Sequence, residues 1–362
     1  MRIFAIGSSI TSCYWNGAAT YYRGIYRALA QLGHEIIFAE PDAYSRQQHR
    51  DGPDSDFAYV HSWVYQSPRD LGDVLAEAAS CDLVIKHSGV GVDDEFLEGS
   101  VVGLRSPQTS TAFWDVDAPA TLARIRQDPG DPFRALIGDY DIIFTYGGGP
   151  PVVSEYLRSG ARQCVPIYNA LDPVTHYRVE AKREFACDLA FVGNRLPDRE
   201  RRVEEFFLRA ACLAPDLAFL LGGEGWQSKE LPPNVRWIGH VGTGDHNAVN
   251  SSARMVLNIN RESMAAVGFS PPTRVFEAAG AAACVVTDAW PGVERFFAPE
   301  SEILVAASAE DIVRHLRETS AVRARSIAEA MLQRALHEHT YAMRAQQVNA
   351  VLRALDERKA AA

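Results

Sequence analysis

The sequence predicts an α/β chain built from two doubly wound halves, each a parallel sheet covered by helices. Three observations predict it. Apolar runs of strand length alternate with longer helix-like stretches from the first residues onward. The alternation ends near Asp172-Pro173 and starts afresh beyond it. The chain has 362 residues, 47% of them hydrophobic and 23% charged, enough to fill two separate cores.

The elements follow in order. Residues 2–7 read as a buried strand and 18–32 as a helix, which Gly33 ends because glycine takes a left-handed cap without strain. Strands are expected at 35–39, 83–86, 101–104, 142–145 and 163–167. The polar, aromatic stretch 44–67 breaks the rhythm and is expected to be a long functional loop or insertion. The second half opens with a strand at 189–192 and a helix at 199–211. Strands at 218–221 and 235–238, a helix at 246–252, a strand at 255–259, a helix at 273–279 and a strand at 283–287 follow. The tail from Ala309 is mostly helical. In it Val348, Val351, Leu352 and Leu355 recur at helical spacing, so one face must be buried, and this last helix is expected to return to the first half. The expected domains are Rossmann-like units at 1–172 and 173–338, with 339–362 packing back on the first. Two such units make a cleft, the usual place for a ligand.

Composition narrows the function classes. A formal charge of −10 supplies no basic footprint for nonspecific nucleic-acid binding, although Arg199, Arg201 and Arg202 cluster locally. No window approaches the roughly 18 apolar residues that span a bilayer, so membrane contact is expected to be peripheral at most. The N-terminal apolar run is too short for a signal peptide, and the six cysteines show no Cys-x-x-Cys pair. Reduced core thiols and a cytoplasmic setting are the expectation.

Several segments, taken together, resemble the GT-B glycosyltransferases, in particular the spore-maturation CgeB-like branch of the group-1 family. They are Asn16-Gly17-Ala18-Ala19 with Leu32-Gly33-His34-Glu35, Tyr168-Asn169-Ala170-Leu171-Asp172, and Asp188-Leu189-Ala190-Phe191-Val192-Gly193-Asn194-Arg195. Arg274-Val275-Phe276-Glu277-Ala278-Ala279-Gly280 with Val285-Val286-Thr287-Asp288, and His339-Thr340-Tyr341 followed by Arg344, complete the set in the expected order. The resemblance implies transfer of a sugar from a nucleotide-sugar donor bound by the C-terminal half to an unidentified acceptor. Retaining relatives in the family often carry two glutamates separated by seven residues. Glu277 matches the second, whereas the first falls on Phe269.

Candidate site residues follow. Pro271 and Pro272 suit a helix entry, with Thr273 as its cap and the helix end as a pyrophosphate site. Arg274 would add a charge-assisted bond to the phosphates, and Glu277 would accept both ribose hydroxyls. The competing reading is an ordinary Arg274–Glu277 pair on a helix surface. Gly193 ends a strand and leads to Arg195, Arg199 and Arg202, one or two of which form a second phosphate clamp or, equally, a solvated helix face. Gly239 and His240 match where relatives hold the base through main-chain groups, and fit a plain turn equally well. Gly17, between a strand and a helix, lets backbone N–H groups reach the donor. No G-x-G-x-x-G is present, so a nicotinamide or flavin cofactor is not expected.

Catalytic candidates lie in the first half. His87 follows a strand, and Asp115-Val116-Asp117 forms a D-x-D triplet. In a GT-A enzyme such a triplet holds a metal. Here two phosphate sites on the other half make a metal unnecessary, so Asp117, with Asp115, is expected to act as a catalytic or acceptor carboxylate. A helix cap before 120–126 is the competing role. Two other activities fit the same fold: a nucleotide-sugar epimerase, or a noncatalytic nucleotide-sugar-binding protein.

Overall fold

The computed structural model describes residues 1–360. The chain forms two compact units, one of Met1–Asn169 with the stretch from Tyr341 onward, the other of Ala170–Thr340.

The first unit is a parallel sheet of β1 (Arg2–Ile6), β2 (Glu35–Pro41), β3 (His61–Tyr65), β4 (Leu83–His87), β5 (Ser110–Asp115), β6 (Ile142–Thr145) and β7 (Cys164–Pro166), in the order β3-β2-β1-β4-β5-β6-β7. Its helices are α1 (Ala19–Gln31), α2 (Leu71–Ala78), α3 (Asp94–Gly103), α4 (Ala118–Gln127), α5 (Pro132–Leu136) and α6 (Gly149–Arg158). Ile3, Phe4, Ala5 and Ile6 are all fully buried, because helices cover both sheet faces and a central strand needs no polar side. The order reverses between β1 and β4, so the loops after them leave the sheet in opposite directions and open a crevice at its C-terminal edge.

The second unit repeats the plan. Strands β8 (Cys187–Val192), β9 (Phe219–Gly222), β10 (Val235–Trp237), β11 (Ala253–Asn258), β12 (Val285–Asp288) and β13 (Leu304–Ala306) run in the order β10-β9-β8-β11-β12-β13. Here the reversal falls between β8 and β11. Around the sheet lie α7 (Pro197–Val203), which continues through a π turn into α8 (Arg209–Leu213), then α9 (Thr243–Ser252), α10 (Glu262–Val267) and α11 (Thr273–Gly280). Next are α12 (Ala309–Glu318) and α13 (Ala321–Glu338), whose first turns are capped by the hydroxyls of Ser308 and Ser320. The last helix, α14 (Tyr341–Ala360), belongs to the first unit and packs on α1.

Two local expectations are corrected. Residues 101–104, expected as a strand, form the end of α3 and its cap, because Leu97 and Val101, one turn apart, both bury a helical face. The strand of that region is β5, which starts on Ser110 and Thr111 and hides its apolar signal. The stretch 44–67 is no long loop: two 3-10 turns lead into β3 at the sheet edge.

Where α1 meets α14, a Cβ on Gly24 would stand 2.1 Å from the Tyr341 ring. Gly24→Ala is therefore expected to destabilise the protein by about 1–3 kcal/mol through overpacking. An unchanged urea midpoint would show the two helices to be loosely joined. Among the described residues the six cysteines are free thiols, and no helix is long and apolar enough to cross a membrane.

Candidate active site

In the second unit, β8 delivers Gly193 to the point where the sheet order reverses. Its N–H donates to Gly222 O at 2.9 Å, and its carbonyl accepts from Trp226 Nε1 at 2.9 Å. A Cβ there would lie 2.9 Å from Arg199 Nη2 and 3.0 Å from Arg274 Nη2. Only glycine leaves both guanidinium groups their places.

Those arginines arrive from two helices. Arg199, from the first turn of α7, donates Nη2 to Asn194 O at 2.5 Å, while its Nε is buried without a partner. Arg274, from the first turn of α11, donates Nε to Val192 O at 2.6 Å and Nη1 to Asn258 Oδ1 at 3.1 Å. Both lie over the ring of Phe191, at 5.6 and 5.2 Å from its centroid. Among the described residues neither forms a salt bridge. Burial and then the neighbouring charge of Arg274 push the Arg199 guanidinium down to about 9, and burial lowers Arg274 as well. Two like charges, Arg199 buried and Arg274 half-buried, held side by side without a salt bridge form a seat for an anion.

The other arginines near the strand end are committed elsewhere. Arg202 binds Asp288 at 2.6 Å, and Asp288 also accepts from Asn260. Arg195 is held by Glu200 at 2.6 Å. Of the cluster, only Arg199 joins Arg274. The cap of α11 differs from expectation too. Pro272 occupies the cap position and offers no side-chain acceptor, so Thr273 is the first residue inside the helix.

Glu277 stands one turn further along α11, buried, and makes no surface pair with Arg274. His176 Nε2 is 3.9 Å from one carboxylate oxygen and His246 Nδ1 3.7 Å from the other. Both separations exceed hydrogen-bonding distance, which leaves the oxygens able to accept from a diol. Burial raises the carboxyl, but His246, His176 and Arg274 together outweigh it and hold the group at about 2, ionised. Gly239, with a φ of 73°, and the exposed His240 lie after β10, two strands from β8; Gly239 O accepts from Gly223 N at 2.7 Å.

In the first unit, Asp115 ends β5 fully buried. It accepts from the hydroxyls of Tyr156 at 2.5 Å, Ser88 at 2.8 Å and Thr121 at 3.1 Å, and from Asp117 N at 2.9 Å. Burial raises its pKa against these bonds. With no exposed surface, Asp115 positions the turn rather than meeting a substrate. Asp117 is half-buried at the cap position of α4, where its side chain makes no capping hydrogen bond. Gly17 is exposed, and a Cβ there would touch nothing within 4 Å. His87 is a different case. Its ring is fully buried against Tyr22, Phe38 and Trp114, with Nε2 2.6 Å from the Tyr26 hydroxyl, and burial pushes its pKa down to about 3. It is a neutral core side chain, which removes it as an acid or base.

Sequence reasoning missed Phe191 as the aromatic floor, Asn258 as the Arg274 anchor, Ser88 and Tyr156 around Asp115, and the two histidines beside Glu277. The alternating acid and base pattern of 198–205 carried a signal that some arginines would be neutralised, without saying which.

Residues 199–350 match the glycosyl transferase-like family Glyco_trans_1_2. No curated protein matches the sequence. Among solved structures, Anabaena HepE in complex with UDP and glucose superposes with a TM-score of 0.72 at 12% identity, over 98% of this chain and 100% of that one. Sucrose-phosphate synthase from Thermosynechococcus elongatus gives 0.67 at 14%, over 98% and 99%. An α-glucosyltransferase in complex with UDP-glucose and DNA containing an abasic site gives 0.69 at 12%, over 97% and 99%. The fold is GT-B, and the family match together with it supports a transferase.

Proposed function

We propose that this chain is a group-1-type glycosyltransferase that takes a nucleotide-sugar donor in its second unit and passes the sugar to a separate acceptor. The observation that carries the reading is the couple of buried Arg199 and half-buried Arg274 at Gly193, neither in a salt bridge among the described residues. The donor diphosphate lies against these guanidinium groups and the N-terminus of α11, and the ribose diol against Glu277. As the glycosidic bond breaks, negative charge grows on the leaving diphosphate, and the prearranged cations stabilise it. Asp117 is the carboxylate that assists the acceptor, with Asp115 fixing its turn. The structural relatives bound to UDP and UDP-glucose favour uridine as the base. The net charge of −10 favours an acceptor other than nucleic acid.

No organic cofactor or divalent cation is required, because cationic side chains already occupy the place a metal would serve. The test is calorimetric titration of UDP and UDP-glucose in EDTA, followed by a donor-hydrolysis assay in the same buffer. Binding and slow UDP release without metal are expected. Binding that requires added manganese would overturn the metal-free reading. Absence of nucleotide binding under both conditions would overturn the donor site. Release of an altered nucleotide sugar would instead indicate an epimerase, and binding without turnover a receptor.

A further inference from the structure

We propose that the first unit carries an oxyanion subsite, made by the Nε–Nη2 edge of Arg46 and the hydroxyl of Tyr22, that receives a phosphate or carboxylate group of the acceptor. The proposal rests on the glycosyltransferase reading only for the word acceptor; the subsite itself stands on the geometry of the first unit.

Arg46 follows β2, where Tyr44 and Ser45 both take left-handed backbone with φ of 56° and turn the chain back. The arginine is 7% exposed. Nη1 donates to Ser8 O at 3.1 Å, just past the end of β1, and the guanidinium lies 4.9 Å from the Tyr44 ring centroid. Nε is buried without a partner, and among the described residues the Ser8 bond is the only hydrogen bond the side chain makes. Nε and Nη2 together form the edge of the fork that matches two oxygens of a carboxylate or phosphate.

The carboxylates nearby are already used. Glu40 accepts from Ile10 N at 2.6 Å, Thr11 N at 3.3 Å, the Thr11 hydroxyl at 2.5 Å and Gln47 Nε2 at 2.6 Å. Asp94 binds Lys86 and the N–H groups of Val90 and Gly91. Burial lowers the Arg46 pKa, with Tyr22, Tyr44 and Glu40 opposing it only in part. A desolvated cation without a counter-ion is expensive, and a chain of net charge −10 had carboxylates to spend on it.

Tyr22 supplies the second donor. It projects from α1 with its hydroxyl buried beside Ser8, in no well-formed hydrogen bond and within electrostatic reach of Arg46. Burial raises its pKa, so it stays protonated. The Ser8 hydroxyl beside it is turned to Asn16 Oδ1 at 2.9 Å. Both free donors lie at the C-terminal end of β1, where the sheet order reverses.

The test titrates inorganic phosphate and, separately, acetate into the full chain saturated with UDP, so that Arg199 and Arg274 are already occupied. At least one anion is expected to bind, and the preferred one identifies the group the acceptor carries. Arg46→Met should weaken it by roughly 10- to 100-fold, and Tyr22→Phe by less, at an unchanged melting temperature. Arg46→Lys, which keeps the charge but not the fork, should fall between and keeps the test valid if the methionine variant does not fold. Equal anion affinity in wild type and Tyr22→Phe together with Arg46→Lys, or no binding of either anion, would overturn the subsite. Repeating the titration without UDP in the Arg199→Ala/Arg274→Ala variant separates the two proposals. Arg46-dependent binding should persist there, whatever becomes of the nucleotide site.

Discussion

Arg274→Ala is expected to weaken UDP binding about 30-fold, because a charge-assisted hydrogen bond to a buried phosphate contributes about 2 kcal/mol. Arg199→Met should lose a similar amount. The two will not add, since each guanidinium alters the charge felt by the other. The unliganded protein separates this role from a structural one. Without nucleotide, Arg199 sits desolvated beside a like charge, so replacing it by an apolar side chain of similar length should leave the melting temperature unchanged or raise it. UDP affinity equal to wild type in both variants, measured by calorimetry, would mean that the pair serves the packing of β8 and nothing else.

Asp117→Asn is expected to lower kcat by at least 100-fold, within the roughly 100- to 10,000-fold range of general-base help, while UDP binds normally. A carboxylate that deprotonates an acceptor hydroxyl, or orients sugar and acceptor when configuration is retained, acts mainly in the transition state. Its loss therefore shows in turnover and not in donor affinity. The missing capping bond to α4 sharpens the expectation, because the substitution removes no helix cap. Asp115→Asn is expected to act differently: it disturbs a buried acceptor of several hydrogen bonds, so stability should fall with activity. Normal turnover with a lower melting temperature in Asp117→Asn would assign Asp117 to the fold.

The α/β plan was legible because parallel strands buried on both faces must be written as apolar runs, and residues 2–7, 83–86, 189–192 and 255–259 are such runs. β5 was not, since Ser110 and Thr111 open it with hydroxyls that break the apolar run. α3 was misread for a related reason: Val101 and Val102 favour a strand locally, and burial against the sheet overrides that preference. In the site, Arg274 and Glu277 stood out through their family resemblance. Arg199 could not be told from Arg202, because three residues along one helix decide between facing Phe191 and facing Asp288. His87 looked available for chemistry because nothing in its local sequence announces the aromatic cage formed by α1, β2 and β5.

The placement of α14 has a consequence for synthesis. The second unit is a continuous stretch inserted between the two parts of the first, so the first cannot be completed until the whole of the second has been made. Domains fold as units as the chain emerges. Until α14 has been made, α1 waits with its face bare for the helix that covers it. The half that begins the chain is the last to be finished.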